Sequence, residues 1–173
     1  MLRFPDSEGL RPTPDRVRET LFNWLGQDLS GLSCLDLFAG SGALGIEAAS
    51  RGAARVVLVE NSRPALAALV ANVRLLDADG RLEIVAADAV KFASSRPATA
   101  ARFDVLFLDP PYKQGWLERI APLLPTLLAD DGALYVEAEH TLDACGEWRT
   151  VRRGRAGQVF YHLMRRGEAD GAQ

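Results

Sequence analysis

The chain has 173 residues, a formal net charge of −3 and a pI of about 5.4. Its hydrophobic content of 48% and charged content of 25% are ordinary for a globular domain. The apolar stretches stop well short of the ~18 residues of a membrane span. The first ten residues contain no apolar core of signal-peptide length. We therefore expect a cytoplasmic protein with no membrane partner.

The N-terminal stretch "LRPTPDRVRETLFNWL" predicts an amphipathic helix. Thr13 can cap it with Pro14 at the first helical position, and Val17, Leu21 and Leu25 form an apolar stripe that would dock on a sheet. A functional entry segment is the alternative, because arginines crowd the start of this helix.

Strands and helices alternate along the next part of the chain. The predicted strands cover 34–39, 55–60, 81–88, 103–109 and 132–139, and the predicted helices cover 43–52, a long segment capped by Ser62, 89–95 and about 114–128. Several strands are apolar throughout, which is typical of a parallel sheet covered by helices on both faces. The segments "EWRTVRR" and "QVFYHLMRR", joined by a "GRAG" turn, predict a C-terminal antiparallel hairpin.

No repeat, linker or domain boundary interrupts this pattern, so we expect one α/β domain. Residues 1–30 would form the N-terminal segment and docking helix, 33–95 the cofactor-binding half, 102–166 the catalytic half, and 167–173 a disordered tail. Cys34 and Cys145 lack partners at metal-ligand spacing and are expected to be free thiols, with no metal site.

The stretch "LDLFAGSGALGIEA" carries the G-x-G-x-x-G pattern of a dinucleotide-binding loop. Gly40, Gly42 and Gly45 follow a predicted strand and open a helix, and Glu60 ends the next strand, where it can accept hydrogen bonds from ribose hydroxyls. Asp36 favours S-adenosylmethionine over NAD, because its carboxylate can face an ammonium but would repel a pyrophosphate. Asp88 suits the adenine end of the ligand, and a helix N-cap is the alternative role for it.

The fourth strand ends in "DPPY". Pro110 cannot donate a backbone hydrogen bond, and Pro111 keeps it out of the helical region, so the bend is rigid. The Asp109 carboxylate and the Pro110 carbonyl can accept the two N–H bonds of an exocyclic amine while the Tyr112 ring stacks on its heterocycle. Such positioning favours in-line methyl transfer to a planar amine.

At this point the sequence resembles a known family. The segments "RPTPDRVRETLFNWL", "CLDLFAGSGALGIEAASRGA", "LVE" and "FLDPPY", in this order, and the ending "AGQVFYHLMRR" are similar to bacterial 16S ribosomal RNA methyltransferases that modify the N2 of guanine 966. The resemblance covers nearly the whole chain. It implies the Rossmann-like class I methyltransferase fold with a mostly parallel seven-stranded sheet, S-adenosylmethionine as cofactor, and the small ribosomal subunit or an assembly intermediate as substrate of a monomeric enzyme.

The resemblance also implies roles for individual residues. It assigns the methionine part of the cofactor to Asp36, Phe38, Ala39, Gly40 and Gly42, the ribose to Glu60, the adenine to Asp88 and Ala89, and the guanine to Asp109, Pro110 and Tyr112.

Arginines provide candidate phosphate contacts. The segment from Trp148 to Arg166 contains six arginines and no acid. Arg152, Arg153 and Arg155 of this hairpin, together with Arg16, are the predicted RNA contacts. Solvated arginines that discourage edge pairing of strands are the alternative for the hairpin.

Four alternative functions remain open from the residues alone. An adenine-N6 methyltransferase acting on DNA or RNA, or a protein-glutamine methyltransferase, would share the DPPY chemistry. An NAD-dependent oxidoreductase would use the glycine loop but leave DPPY unexplained. A cofactor-binding module without catalysis would show no turnover that depends on Asp109.

Overall fold

The computed structural model describes residues 14–77 and 79–167. The helices are α1 (Asp15–Leu25), α2 (Ala43–Ser50), α3 (Arg63–Leu76), α4 (Ala89–Ser95), α5 (Trp116–Ile120) and α6 (Leu124–Leu127), with a 3-10 turn over Ala121–Leu123. The strands are β1 (Ser33–Asp36), β2 (Arg55–Glu60), β3 (Leu82–Ala86), β4 (Phe103–Leu108), β5 (Leu128–Ala138), β6 (Ala144–Cys145), β7 (Trp148–Ala156) and β8 (Val159–Arg166).

The strands form one sheet in the order β3-β2-β1-β4-β5-β8-β7-β6. The first five of that order pair in parallel, and β8, β7 and β6 continue the sheet antiparallel from β5. This confirms the predicted α/β fold with its C-terminal antiparallel hairpin. The two-residue strand β6, at the edge beyond β7, was not predicted.

Helices cover both faces of the sheet, and each face has its own apolar core. Val105 and Phe107 pack with residues of α1, α2 and α3, whereas Leu106 and Leu108 pack with residues of α4, α5 and α6. Successive residues of β4 therefore point to opposite, equally buried faces, which is why the strand is apolar throughout. We call the side that holds α1, α2 and α3 the first face.

The N-terminal helix docks on the first face, as predicted. Val17 and Leu21 are fully buried, Leu25 is half-buried, and Phe22, which the stripe did not include, is fully buried against Phe107 with ring centroids 6.1 Å apart. The helix begins at Asp15, one residue later than predicted, with Pro14 in the N-cap position. The predicted cap, Thr13, lies outside the described residues.

Several predicted boundaries were wrong: β1, predicted over 34–39, ends at Asp36, and β5, predicted over 132–139, begins at Leu128. The segment 114–128 is not one helix, because Pro122 and Pro125 each lie at the second position of a new short turn and cannot donate the hydrogen bonds of a continuous helix. The hairpin turn lies at residues 157–158, and Gly154 belongs to β7. A Cβ atom on Gly154 would lie 2.4 Å from the Tyr161 ring, so this glycine serves a close cross-strand contact.

Two further findings concern membranes and thiols. No helix within 14–77 and 79–167 combines the length and the apolar character needed to cross a bilayer. Both cysteines are free thiols, as predicted, and both are buried.

Candidate active site

Acidic residues meet at one edge of the sheet. Asp36 ends β1 and Glu60 ends β2, and Asp109 follows β4 directly. Asp36 pairs in register with Leu58 of β2 and with Phe107 of β4, so both neighbouring strands reach the same edge. Open parallel sheets bind their ligands at this carboxyl edge, and the structure brings the predicted acids together there.

The glycine loop joins β1 to α2 in a conformation that larger residues could not adopt. Gly42 has a φ of 95°, and a Cβ atom there would lie 2.7 Å from Leu69. A Cβ atom on Gly45 would lie 2.3 Å from a methyl group of Leu58, so this glycine lets α2 approach β2 closely. The loop is therefore tightly packed against α3 and β2 at positions where only glycine fits.

Glu60 braces this loop. Its Oε1 accepts a hydrogen bond of 2.7 Å from the Gly40 N–H, and its Oε2 accepts from the N–H groups of Asn61 and Ser62 at 2.9 and 2.8 Å. A carboxylate offers about four acceptor positions, so these bonds leave room for a ribose hydroxyl. The ribose role of Glu60 stays a prediction, and the loop-bracing role is an addition to it.

Asp36 is a buried carboxyl group whose Oδ1 has no hydrogen-bond partner in the described part of the chain. Burial raises the pKa of Asp36 to about 7, and the Glu60 carboxylate adds to the rise, while hydrogen bonds from the backbone N–H groups of Phe38 and Gly45 oppose it. A buried acceptor without a donor costs free energy. An incoming ammonium would satisfy Oδ1 and favour the ionised form of Asp36. The site thus fits the predicted methionine end of S-adenosylmethionine.

Three further residues predicted to hold the cofactor are Asp88, Ala89 and Phe38. Asp88 caps α4, its Oδ2 accepting from the Lys91 N–H at 3.0 Å, which confirms the helix-cap alternative and leaves the adenine role a prediction. Ala89 is buried at the start of α4. Phe38 is half-buried and meets Trp116 edge to face with ring centroids 5.2 Å apart; sequence analysis had not singled out Trp116.

The DPPY segment follows β4 at the same edge. Pro110 is buried, while Asp109 and Tyr112 are half-buried. The Tyr112 hydroxyl lies 3.5 Å from the Ala138 carbonyl oxygen at the end of β5, which places the ring between the ends of β4 and β5. Lys113 has a φ of 64°, an uncommon conformation for a residue with a side chain.

The predicted RNA-contacting arginines fall in different surroundings. Arg16 is exposed in the first turn of α1, and Arg152 is exposed on β7. Arg153 bonds Thr141 and pairs with Asp143 at 3.2 Å. Arg155 lies over the Phe160 ring, 4.8 Å from its centroid.

Register divides the hairpin into two ends. Arg155 pairs with Phe160, which pairs with Ala138 at the carboxyl end of β5, so the hairpin tip shares the edge with the candidate site. Arg149 and Arg165 lie at the opposite end, and Arg166 there pairs with Glu147 and Asp130. Of these hairpin arginines, therefore, Arg155 lies at the edge that carries the acids of the site, whereas Arg149, Arg165 and Arg166 lie at the opposite end.

Two buried polar residues of the site were missed by sequence analysis. Glu137 of β5 is 3% exposed and accepts a 2.7 Å hydrogen bond from the Tyr135 hydroxyl. Asn72 of α3 donates to the Ser41 carbonyl of the glycine loop at 2.9 Å. The sequence did carry a signal for Glu137, because an acidic residue within an apolar run such as "ALYVEA" is unusual.

Comparisons with known proteins agree with this geometry. The family model described as conserved hypothetical protein 95 matches residues 1–165. The chain is 44% identical to ribosomal RNA small subunit methyltransferase D of Escherichia coli over 98% of the chain and 87% of that protein. It is 38% identical to the protein of that name from Haemophilus influenzae, over 91% and 84%.

Solved structures agree as well. The Escherichia coli protein yhhF superposes with a TM-score of 0.82 at 42% identity, covering 95% of this chain and 91% of that one. The fold is shared with an RNA methyltransferase from Salinibacter ruber solved with S-adenosyl-L-homocysteine, at a TM-score of 0.71 and 18% identity over 93% and 97%.

Proposed function

The chain belongs to the conserved hypothetical protein 95 family, with the small-subunit ribosomal RNA methyltransferase D proteins among its relatives, and from this premise we propose that it methylates the exocyclic N2 of a guanine in 16S ribosomal RNA. The observation that carries the proposal is the DPPY segment at the end of β4, beside the buried Asp36 of the glycine-loop site. The DPPY segment supplies acceptors for an amine, and Asp36 supplies an acceptor for the cofactor.

S-adenosylmethionine is the cofactor of this methyltransferase, and when bound it supplies a methyl group activated by its sulfonium. The chain offers Asp36 as acceptor for the ammonium of the methionine part and Glu60 as acceptor for the ribose. The remaining residues proposed to hold it are Phe38, Ala39, Gly40, Gly42, Asp88 and Ala89.

The target amine is held by residues that follow β4. The Asp109 carboxylate and the Pro110 carbonyl accept the two N–H bonds of the amine, and the Tyr112 ring stacks on the base. With both hydrogens fixed, the nitrogen lone pair, otherwise delocalised into the ring, can point at the methyl group. Positioning of this kind can supply about 7–11 kcal/mol of the barrier. The nitrogen becomes acidic as it gains the methyl group, so Asp109 or water can take one N–H proton.

The proposed substrate is RNA within an assembled small subunit or an assembly intermediate. Between the glycine loop and DPPY, the residues that the structure describes form the ordinary strands and helices from α2 to β4 and no added target-recognition domain. Arg16, Arg152, Arg153 and Arg155 are the proposed phosphate contacts, and the base must be everted to reach Asp109. We propose that the enzyme acts as a monomer and, because its substrate is ribosomal, in the cytoplasm.

The test is transfer of labelled methyl groups from S-adenosylmethionine to unmodified small ribosomal subunits, naked 16S ribosomal RNA and duplex DNA. We expect label on guanine N2 of a ribosomal substrate, identified by nucleoside analysis, and its loss in Asp109→Ala. Asp104→Ala is the matched control, because Asp104 lies on the same strand and bonds the Ser33 N–H instead. Label on adenine, or on protein glutamine, would refute the proposed substrate but keep the amine chemistry.

A further inference from the structure

A second carboxylate lies beside Asp109 on the first face. Phe107 of β4 and Tyr135 of β5 are partners in register, and their ring centroids are 6.4 Å apart. Asp109 and Glu137 each stand two residues further along. Glu137 is still within β5, so the alternation of side chains with a period of two places it on this same face, nearer the carboxyl edge. Asp109 stands one residue beyond the end of β4, near enough for its charge to act on the buried Tyr135. Glu137 lies on the far side of Asp109 from Asp36, since the strand order is β1-β4-β5.

The Tyr135 hydroxyl holds the second of these carboxylates, that of Glu137. It donates to Glu137 Oε2 at 2.7 Å, within a fully buried part of the first face. Burial raises the pKa of Tyr135 well above its usual value, and the charges of Glu137 and Asp109 both add to the rise. Tyr135 therefore stays protonated, orients the Glu137 carboxylate, and lies close to both acids.

The chemistry of planar amines makes such a pair selective. In guanine, the N2 amino group stands next to N1–H, so two donors face one side. In adenine and cytosine the atom next to the amino group is a ring nitrogen that accepts, and in a side-chain amide it is a carbonyl oxygen. A second carboxylate would pair with the donor of guanine and repel the acceptors of the others.

We propose that Glu137 selects guanine by accepting the N1–H of the everted base while Asp109 accepts from its N2 amino group. This inference rests on the proposed function and deepens it, because the DPPY segment alone grips any planar amine. Glu137 would then be the residue that turns a general amine site into a guanine site. If the base lacks N1–H, its N1 is an acceptor and faces the buried Glu137 carboxylate, which is also an acceptor. Recognition sites discriminate strongly against such a base.

The experiment replaces the target guanine by 2-aminopurine, which keeps the 2-amino group but has an unprotonated N1. The methylated nucleotide is first mapped with wild-type enzyme, and 16S ribosomal RNA carrying 2-aminopurine at that position is then made by ligation and assembled. We expect wild type to prefer guanine by about 100-fold or more in kcat/KM. Equal rates on both substrates would overturn the inference without any variant.

Two variants complete the test. In Glu137→Gln the amide can donate as well as accept, so we expect the preference to fall by about ten-fold or more, with binding of S-adenosylhomocysteine unchanged in calorimetry. Tyr135→Phe is the comparison variant: it keeps the carboxylate and removes only the hydroxyl that orients it, so it should lower the preference less than Glu137→Gln does. An unchanged preference in Glu137→Gln, or an equal fall in Tyr135→Phe, would overturn the inference. If wild type places no methyl group on guanine, the proposed function itself fails.

Discussion

The side-chain amide of Asn72, on α3, donates a hydrogen bond of 2.9 Å to the carbonyl oxygen of Ser41 in the glycine loop. Both residues are buried, and their hydrogen bond ties the glycine loop to α3, the helix that follows β2. Asn72→Ala would leave the carbonyl without this donor, at a cost of about 1–3 kcal/mol in the free energy of unfolding.

A looser loop should also bind the cofactor less well. We expect Asn72→Ala to raise the Kd for S-adenosylhomocysteine by about ten-fold, the equivalent of ~1.4 kcal/mol, in isothermal titration calorimetry. The exposed Asn61→Ala is the matched control and should change neither quantity. Normal cofactor affinity in a destabilised Asn72→Ala would limit Asn72 to a folding role.

The parts of the fold that sequence predicts well are those encoded locally. Strand β2 and helix α4 have the predicted bounds, because an apolar run and a capping acid each lie within a few residues of the element they define. The glycine loop was predicted for the same reason, since its residue pattern carries the backbone requirement itself.

Glu137 and the hairpin arginines show what local sequence patterns do not predict. An acid in an apolar strand gains meaning only when β5 is placed beside β4, and that pairing is a property of the whole sheet. Likewise the arginines of the hairpin look alike in sequence, and only antiparallel register separates Arg155 at the tip from Arg166 at the opposite end. For Gly154 the local pattern predicts a turn, because the contact that explains this glycine, Tyr161, lies on another strand.

The raised pKa of Asp36 predicts a pH dependence of stability. Because the pKa of this carboxyl group is about 7 in the folded chain and 3.8 ordinarily, its contribution to stability is complete below pH 3.8 and is lost as pH rises toward 7. We expect Asp36→Asn to stabilise the cofactor-free protein at pH 8 by up to about 4 kcal/mol, and to change it little near pH 4, in urea unfolding.

The comparison must be between variant and wild type at each pH. His162 is a buried residue whose pKa is lowered, first by burial, so its contribution has the opposite sign and is lost as pH falls. Subtraction of the two unfolding curves removes that common effect. An Asp36→Asn protein that is no more stable than wild type at pH 8 would contradict the prediction, whereas weaker cofactor binding by the same variant is expected.

Tyr112 should act through its ring and not through its hydroxyl. The hydroxyl lies 3.5 Å from the Ala138 carbonyl, at the limit of a hydrogen bond. Tyr112→Phe should therefore keep kcat/KM on the ribosomal substrate within about two-fold, while Tyr112→Ala should lower it by about 10- to 100-fold, since stacking of a base contributes ~1–3 kcal/mol. Equal losses in both variants would mean that the hydroxyl matters. Cofactor affinity, measured in parallel, should not change in either.

The hairpin arginines offer a test with a control on the same strand. Arg155 and Arg149 are both exposed on β7, but only Arg155 lies at the end shared with the candidate site. We expect Arg155→Glu to raise KM for the ribosomal substrate and to reduce the slope of log affinity against log salt by about one unit, as for a lost phosphate contact. Adding Arg152→Glu should increase both effects. Arg149→Glu makes the same change of charge at the far end of the strand, and it should leave KM and the salt slope near the wild-type values. Equal effects of Arg149→Glu and Arg155→Glu would show that net charge, and not the hairpin tip, governs RNA binding.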